Sequence, residues 1–363
     1  MHYFIDKPSF FAVKLLAWFE INQRPLLWRS TKEAYKIWLS EIILQQTRVE
    51  QGTSYYVKFI SNYPKLKDLA LADEETVLKD WQGLGYYSRA RNLHFTARYI
   101  YDNLNGEFPK DYTSILQLKG IGEYTAAAIA SFAFDLPHAV VDGNVYRVLA
   151  RIFGIETAID SSQGKKEFKE LANHLLDQKN PALFNQSIME FGALHCVPSK
   201  PDCNSCIFQK ECVAHLTNQV NNFPVKAKKI KQRKRHFHYL IFENSTELVV
   251  KKRVGKEIWQ NLYDFPLIET KNDASLNELL SHEDFKKILK EQDFAITASS
   301  TWRKHILSHQ IIMAKFYHLQ LTKLDSIELE ANQIIAKETL STYPIPKLIE
   351  NYLKEETNLL SLS

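Results

Sequence analysis

Residues 114–134 read SILQLKGIGEYTAAAIASFAF. An apolar helix end runs into Leu118-Lys119-Gly120-Ile121-Gly122, and a stretch rich in helix-forming alanine follows, so the pattern is helix, glycine hairpin, helix. Two glycines let the backbone turn tightly, and the second helix opens with free N–H groups pointing outward, a geometry that binds phosphate without reading sequence. Gly120 and Gly122 are therefore candidate contacts to a nucleic-acid backbone. Many helical hairpins use glycine simply to turn, and the pattern alone leaves both readings open.

Outward from the hairpin, residues 8 to about 216 carry apolar side chains at helical spacing, as in YKIWLSEIILQQ, VYRVLARIF and FKELANHLL. This part is expected to be mainly α. Beyond it the period changes. FHYLIF (237–242) and ELVVKKR (247–253) read as strands, a turn-rich stretch follows, and LNELL reads as a helix, which makes the second part α+β. The change falls on a polar and basic stretch, giving domains at 1–216 and 236–353 joined by a linker at 217–235. A chain of 363 residues has room for two such cores.

Composition narrows the class. With 45% hydrophobic and 24% charged residues the chain is globular, which excludes disordered and collagen-like proteins. No apolar run nears the roughly 20 residues that span a bilayer. The opening MHYFIDKPSFF lacks a secretory pattern, so a cytoplasmic, membrane-free monomer is expected. The net charge of +4 decides little, but no acidic residue lies between Val213 and Phe242, and KAKKIKQRKR (Lys226–Arg235) holds seven basic side chains in ten positions. Such a field suits a phosphate backbone, and equally a solvated linker.

The four cysteines, Cys196, Cys203, Cys206 and Cys212, fall within 17 residues as C-x6-C-x2-C-x5-C. A cytosolic location argues against disulfides. Structural zinc usually takes two short C-x2-C pairs, and only one exists here. Gaps of six, two and five looped around one point suit a [4Fe-4S] cube, whose corners stand farther apart than the ligand shell of zinc. Lys200 and Lys210 flank the loop with positive charge.

Two carboxylates stand out. Asp142, in VVDGN, leads into the amphipathic helix VYRVLARIF and is placed to cap it. Glu41, in WLSEIILQQTRVEQ, sits one turn from Ile37, Trp38 and Leu44 on a helix. Apolar surroundings favour the protonated carboxyl, which a general acid needs near neutral pH. Gln45 and Arg48 continue the same stripe at helical spacing, so an ordinary solvated face competes with that reading.

Together EIILQQTRV, GLGYYSRARNLH, LKGIGEYTAAAIA, VDGNVYRVLAR and the four-cysteine loop strongly resemble the helix-hairpin-helix DNA glycosylases, over residues 8 to about 216. Branches that also cut the strand carry a lysine two residues after the second hairpin glycine, as a Schiff-base nucleophile; here that residue is Tyr124. Glu41 resembles the catalytic acid of the MutY branch. The resemblance implies a monofunctional enzyme that removes adenine opposite 8-oxoguanine or guanine from double-stranded DNA, with a [4Fe-4S] cluster as cofactor. It further implies that Glu41 protonates adenine and Asp142 stabilises the sugar cation, that Tyr124 and Asn144 support Asp142 and the reacting sugar, and that Trp28 and Arg29 wall the adenine pocket. Flipping a base leaves a gap, for which Gln46 and Tyr86 are the matching wedges, while Arg89 and Arg91 are placed to meet phosphates.

Residues 236–353 resemble, more weakly, the Nudix-like C-terminal domain of that branch. No G-x5-E-x7-R-E-x2-E-E box is present, so nucleotide diphosphate hydrolysis is not implied. Ser308 and His309 in HILSH match the loop that reads 8-oxoguanine, with Leu307 where the family usually has phenylalanine. The rival readings are a bifunctional endonuclease III-like lyase and a noncatalytic iron-sulfur DNA-binding redox sensor.

Overall fold

A computed structural model describes residues 8–227, 232–290, 292–327 and 329–360. The centre of the basic linker, residues 228–231, lies outside the described residues. Contacts divide the chain into two compact units, Met1–Leu71 with Asn92–Lys229, and Ala72–Arg91 with Ile230–Ser363. The second unit thus takes in residues 72–91, which the sequence reading had counted with the first domain.

The helices of the first part of the chain are α1 (Pro8–Asn22), α2 (Ala34–Leu44), α3 (Val49–Asn62), α4 (Leu66–Leu71), α5 (Glu74–Asp80), α6 (Ser88–Asn103), α7 (Tyr112–Leu116), α8 (Glu123–Phe134), α9 (Gly143–Phe153), α10 (Ser162–Leu175), α11 (Pro181–Leu194) and α12 (Val213–Leu216). Of these, α5 belongs to the second unit. In the first unit α2 packs on α8, and α11 packs on α1 and α9. Phe11, Phe19, Phe184 and Phe191 fill the space among these helices. α2 is buried from Ile37 to Ile43, as expected of a helix that is apolar nearly all round. It stops at Leu44 with Gln45 as its C-cap, so Gln45 and Arg48 do not extend the Glu41 stripe as the spacing predicted. Gln45 instead turns to Thr125, 3.3 Å away.

Two helix ends fix the site. At Gly120 the backbone is left-handed, with φ +81°, and a Cβ there would lie 2.6 Å from Asn92 Cβ. Asp142 caps α9, accepting from the amides of Asn144 and Val145 as the sequence predicted.

The second unit is a mixed sheet with helices. Its strands are β1 (Arg233–Glu243), β2 (Glu247–Lys252), β3 (Tyr263–Asp264), β4 (Leu267–Thr270), β5 (Ala295–Ser299), β6 (Arg303–Ile306), β7 (Gln310–Gln320) and β8 (Asn332–Ala336). The main order is β3-β2-β1-β7-β5, with β4 on β1, β6 on β7 and β8 on β2. β1 and β7 run parallel from Arg233↔Gln310 to Glu243↔Gln320, and the other pairs are antiparallel. β1 is buried on both faces, which is why FHYLIF reads as a continuous apolar run rather than alternating. Its Leu240 and Phe242 join Leu319 of β7 and Leu279 and Phe285 of α13 (Leu276–Ser281) and α14 (Glu283–Leu289). Tyr352, on α15 (Lys347–Leu360), stacks on Phe316 at 3.8 Å. The mainly α and α+β parts expected from the sequence are both present. The boundary differs in detail, since β1 already starts at Arg233 and Ala227 is tied to Asp160 of the first unit at 2.8 Å.

Candidate active site

Glu41 is 6% exposed, in the middle of α2. The Tyr124 hydroxyl donates a hydrogen bond to its Oε2 at 2.7 Å. Burial pushes the Glu41 carboxyl up to about 7; the Tyr124 bond opposes this, the Asp142 charge adds to it, and Arg29 offsets a little. The phenol is bonded to Glu41, with Met189 Sδ 3.5 Å from its oxygen, and the Asp142 charge also acts on it.

Asp142 is also held above its ordinary value, because burial raises its carboxyl; the amides of Val145 and Asn144, at 2.8 and 2.9 Å, Asn144 Nδ2, at 2.9 Å, and the Arg147 charge work against that rise. Three N–H donors favour the anion. Asn144 therefore supports Asp142 as expected. Asn144 is itself positioned by Arg147, whose Nη2 reaches Asn144 Oδ1 at 2.9 Å and the Gly192 carbonyl at 2.6 Å, and whose Nε reaches the Cys196 carbonyl at 2.7 Å. Gly192 lets α11 approach closely, because a Cβ there would lie 2.7 Å from Asn144 Cβ.

Arg29 and Trp28 adjoin this centre. Arg29 forms a fork with the Glu190 carboxylate at 2.8 and 3.1 Å, and Arg24 forms a second at 2.7 and 2.9 Å. Burial alone would raise the Glu190 carboxyl, but the hydrogen bonds from Arg24 and Arg29 outweigh it and hold it at about 2. Trp28 is 9% exposed and meets Tyr56 edge-on at 5.5 Å. Arg24, Glu190, Arg147 and Gly192 were not singled out from sequence. A glutamate in an apolar helix, IMEFGAL, was the available signal for Glu190, the same signal that found Glu41.

A Cβ at Gly122 would meet nothing within 4 Å, so neither packing nor a positive φ demands glycine there. The omission leaves room at the start of α8 for a close approach from outside. The four cysteines form no disulfide and line one cavity with Arg151, Phe191 and His195. Gln46 and Tyr86 are both exposed and both left-handed, with φ +57° and +47°. For non-glycine residues this is a strained conformation, met at functional turns.

Within the second unit, Tyr86 and Ser308 share a cavity of about 390 Å³ with Tyr87, Trp259, Leu307 and His309. The Tyr86 hydroxyl and Ser308 Oγ are 2.5 Å apart. His309 is exposed and Leu307 half-buried, in the turn between β6 and β7. Arg89 departs from the expectation. It is 9% exposed, stacks over Trp81 at 5.0 Å, and spends its guanidinium on the Leu84 and Gly85 carbonyls at 3.2 Å, so it braces the GLGYY turn rather than facing a phosphate. Burial lowers it to about 10. Arg91 is likewise committed, to the Gln260 carbonyl at 2.8 Å.

The chain is similar to known proteins of two families. Residues 39–174 match the HhH-GPD superfamily of base excision DNA repair proteins, and residues 238–355 match the NUDIX domain. The chain is 35% identical over 303 residues to the adenine DNA glycosylase of Buchnera aphidicola subsp. Baizongia pistaciae, covering 82% of this chain and 83% of that one. It is 43% identical over 214 residues to the adenine DNA glycosylase of Rattus norvegicus, covering 56% of this chain and 42% of that protein. Among solved structures, a thermostable thymine-DNA glycosylase aligns with a TM-score of 0.55 and 31% identity over 58% of this chain and 98% of its own. A non-covalent endonuclease III–DNA complex aligns with a TM-score of 0.52 and 21% identity over 59% of this chain and 97% of its own, a likeness of fold.

Proposed function

The chain belongs to the adenine DNA glycosylase family, and from that premise we propose that it hydrolyses the N-glycosidic bond of adenine paired with 8-oxoguanine or guanine, leaving the strand intact. As a base-excision glycosylase it acts on DNA. The observation that carries the reading is a pair of carboxylates in different environments: Glu41, buried with one hydroxyl partner and raised to about 7, and Asp142, held by three N–H donors.

Adenine leaves poorly as an anion. Protonated Glu41 gives its proton to N7, the bond to C1′ breaks, and its electron pair departs with the neutral base. The sugar becomes oxocarbenium-like, and ionised Asp142 stabilises that cation, by charge or by a transient bond. Water then adds to C1′ and yields an abasic site. A tyrosine at 124 cannot form an imine with the sugar, which separates this chemistry from that of a lyase. Arg29, fixed by Glu190, lines the side of the pocket beside Glu41.

The cofactor proposed is a [4Fe-4S] cluster on Cys196, Cys203, Cys206 and Cys212. The four thiols, spaced at six, two and five residues, line one cavity. That arrangement suits a cube with thiolates at separate corners better than tetrahedral zinc with sulfurs at about 2.3 Å. When bound, the cluster supplies a one-electron centre and ties the loop together. Ser308 and His309 are proposed to read 8-oxoguanine, with Tyr86 and Gln46 as wedges and the Gly120–Gly122 hairpin as a phosphate contact. Among the described residues no helix is long and apolar enough to cross a membrane.

The test is a single-turnover assay on duplexes holding adenine opposite 8-oxoguanine, guanine or thymine, with alkali added afterwards. Excision from the first two, breaks only after alkali, and an inactive Glu41→Gln are expected. Strand cleavage without alkali, with an adduct trapped by borohydride, would overturn the monofunctional assignment.

A further inference from the structure

The last residue before the first cysteine ligand is His195. Its ring is held on two sides, stacked on Phe191 at 5.1 Å and 22° and meeting the edge of Trp18 at 6.3 Å. Its backbone amide is fixed to the Phe191 carbonyl at 3.0 Å. The ring lines the cavity that the four cysteines also line. Nε2 is buried and has no hydrogen-bond partner among the described residues. A buried ring nitrogen left in this state loses its hydration with nothing in return, which native proteins rarely tolerate. The four cysteines and Asp202 line the same cavity, and the Asp202 carboxylate already accepts from Asn204 and Ser205, which leaves the sulfurs as acceptors. Two of them already receive N–H groups from the fold: Arg151 Nη1 reaches Cys196 Sγ at 3.5 Å, and the Phe208 amide reaches Cys206 Sγ at 3.4 Å.

We infer that His195 donates a hydrogen bond from Nε2 to a sulfur of the iron-sulfur cluster and so helps set its potential, an inference that rests on the cluster reading above. Hydrogen bonds to cluster sulfurs are one of the protein's means of tuning potential, because an N–H stabilises the more electron-rich state. The bond from His195 raises the midpoint at which the cluster gives up an electron. His195 acts here as a positioning and tuning residue, and touches neither adenine nor sugar.

The experiment uses the purified full chain with its native iron, labelled with ¹⁵N at the imidazole nitrogens of histidine alone, because the His215 amide already meets Cys212. Iron and sulfide per chain are measured first, then the oxidised midpoint by voltammetry, then nitrogen hyperfine coupling to the ferricyanide-oxidised cluster. A ¹⁵N coupling is expected in the wild type. It should vanish in His195→Phe, which keeps the ring on Phe191, and in His195→Gln. The midpoint should fall in His195→Phe and recover in part in His195→Gln, which retains an N–H donor. Full iron content with no coupling, or with the same midpoint in all three proteins, overturns the inference and leaves the cluster standing. A chain that carries no iron and sulfide overturns the cluster reading and the inference together.

Discussion

Tyr124 donates a hydrogen bond from its hydroxyl to Glu41 Oε2 at 2.7 Å, so the residue that stands where a lyase has its nucleophile is engaged with the acid. Burial raises the Glu41 carboxyl to about 7, and the tyrosine bond works against burial. The rate of adenine release should therefore fall about tenfold per pH unit above about 7, and fall again in acid once Asp142, itself raised by burial, takes up a proton. Tyr124→Phe removes the opposing bond and should move that alkaline limb to higher pH. Single-turnover rates against pH, at saturating enzyme, check both. A limb that stays in place in Tyr124→Phe would mean the hydroxyl does not act on Glu41.

The same shift has a consequence for stability. The folded carboxyl sits near 7 against an ordinary value of 4.5, so the proton is bound more tightly in the native state. The stabilisation is complete below the unfolded value and is lost as pH rises through the folded one. Two and a half units correspond to about 3 kcal/mol for this buried group. Glu41→Gln carries no charge to bury. It should match the wild type near pH 4.5 and exceed it by about 3 kcal/mol at pH 8. Denaturant melts at the two pH values measure the difference, and equal gains at both would contradict the burial argument.

Asp142 serves the helix and the reaction with one side chain, and the two duties are separable. Asp142→Asn keeps an oxygen for the amides of Asn144 and Val145 and should cost under about 0.5 kcal/mol, since asparagine caps as well as aspartate. Asp142→Ala loses the cap and should cost about 1 kcal/mol. Both should slow base release by about a thousandfold or more, because neither can stabilise a cation. A fast Asp142→Asn enzyme would leave Asp142 as a cap alone.

Glu190 is the acid that the sequence hid. It is 1% exposed and faces two guanidiniums, so Glu190→Gln would leave Arg24 and Arg29 without their anion in a buried place. A loss of about 3–5 kcal/mol is expected. Lowering Glu41 also depends on Arg29 to a small degree, so the variant's residual activity should show a shifted pH limb. An unchanged melting midpoint would contradict the ion-pair network.

What the sequence disclosed was local. The hairpin, the cap at Asp142, the odd glutamate at 41 and the cysteine spacing are all features of a few adjacent residues, and each is found where its pattern placed it. What it concealed was pairing across distance: Glu190 with Arg24 and Arg29 is separated by more than 160 residues, and Gly192 is explained only by Asn144 beside it. Arg89 was misread because a basic residue near a turn shows its charge but not its direction; its guanidinium folds back over Trp81. Residues 72–91 continue the helical pattern, and periodicity carries no information about which core a helix joins.

Tyr86 and Ser308, 222 positions apart, share a hydroxyl contact of 2.5 Å inside the second unit. The proposed wedge and the proposed reader of 8-oxoguanine are thus joined by one bond. Tyr86→Phe keeps the ring that would insert between bases and loses only the hydroxyl; Ser308→Ala loses the other end. If the contact orients Ser308, each variant should lower the preference for adenine opposite 8-oxoguanine over adenine opposite guanine. The double variant should lower it little further, with a coupling of about 0.5–3 kcal/mol, because contacting residues are not additive. The four proteins are compared by the ratio of single-turnover rates on the two duplexes. Losses that multiply would mean the two hydroxyls act independently, and the contact would then be incidental to lesion reading.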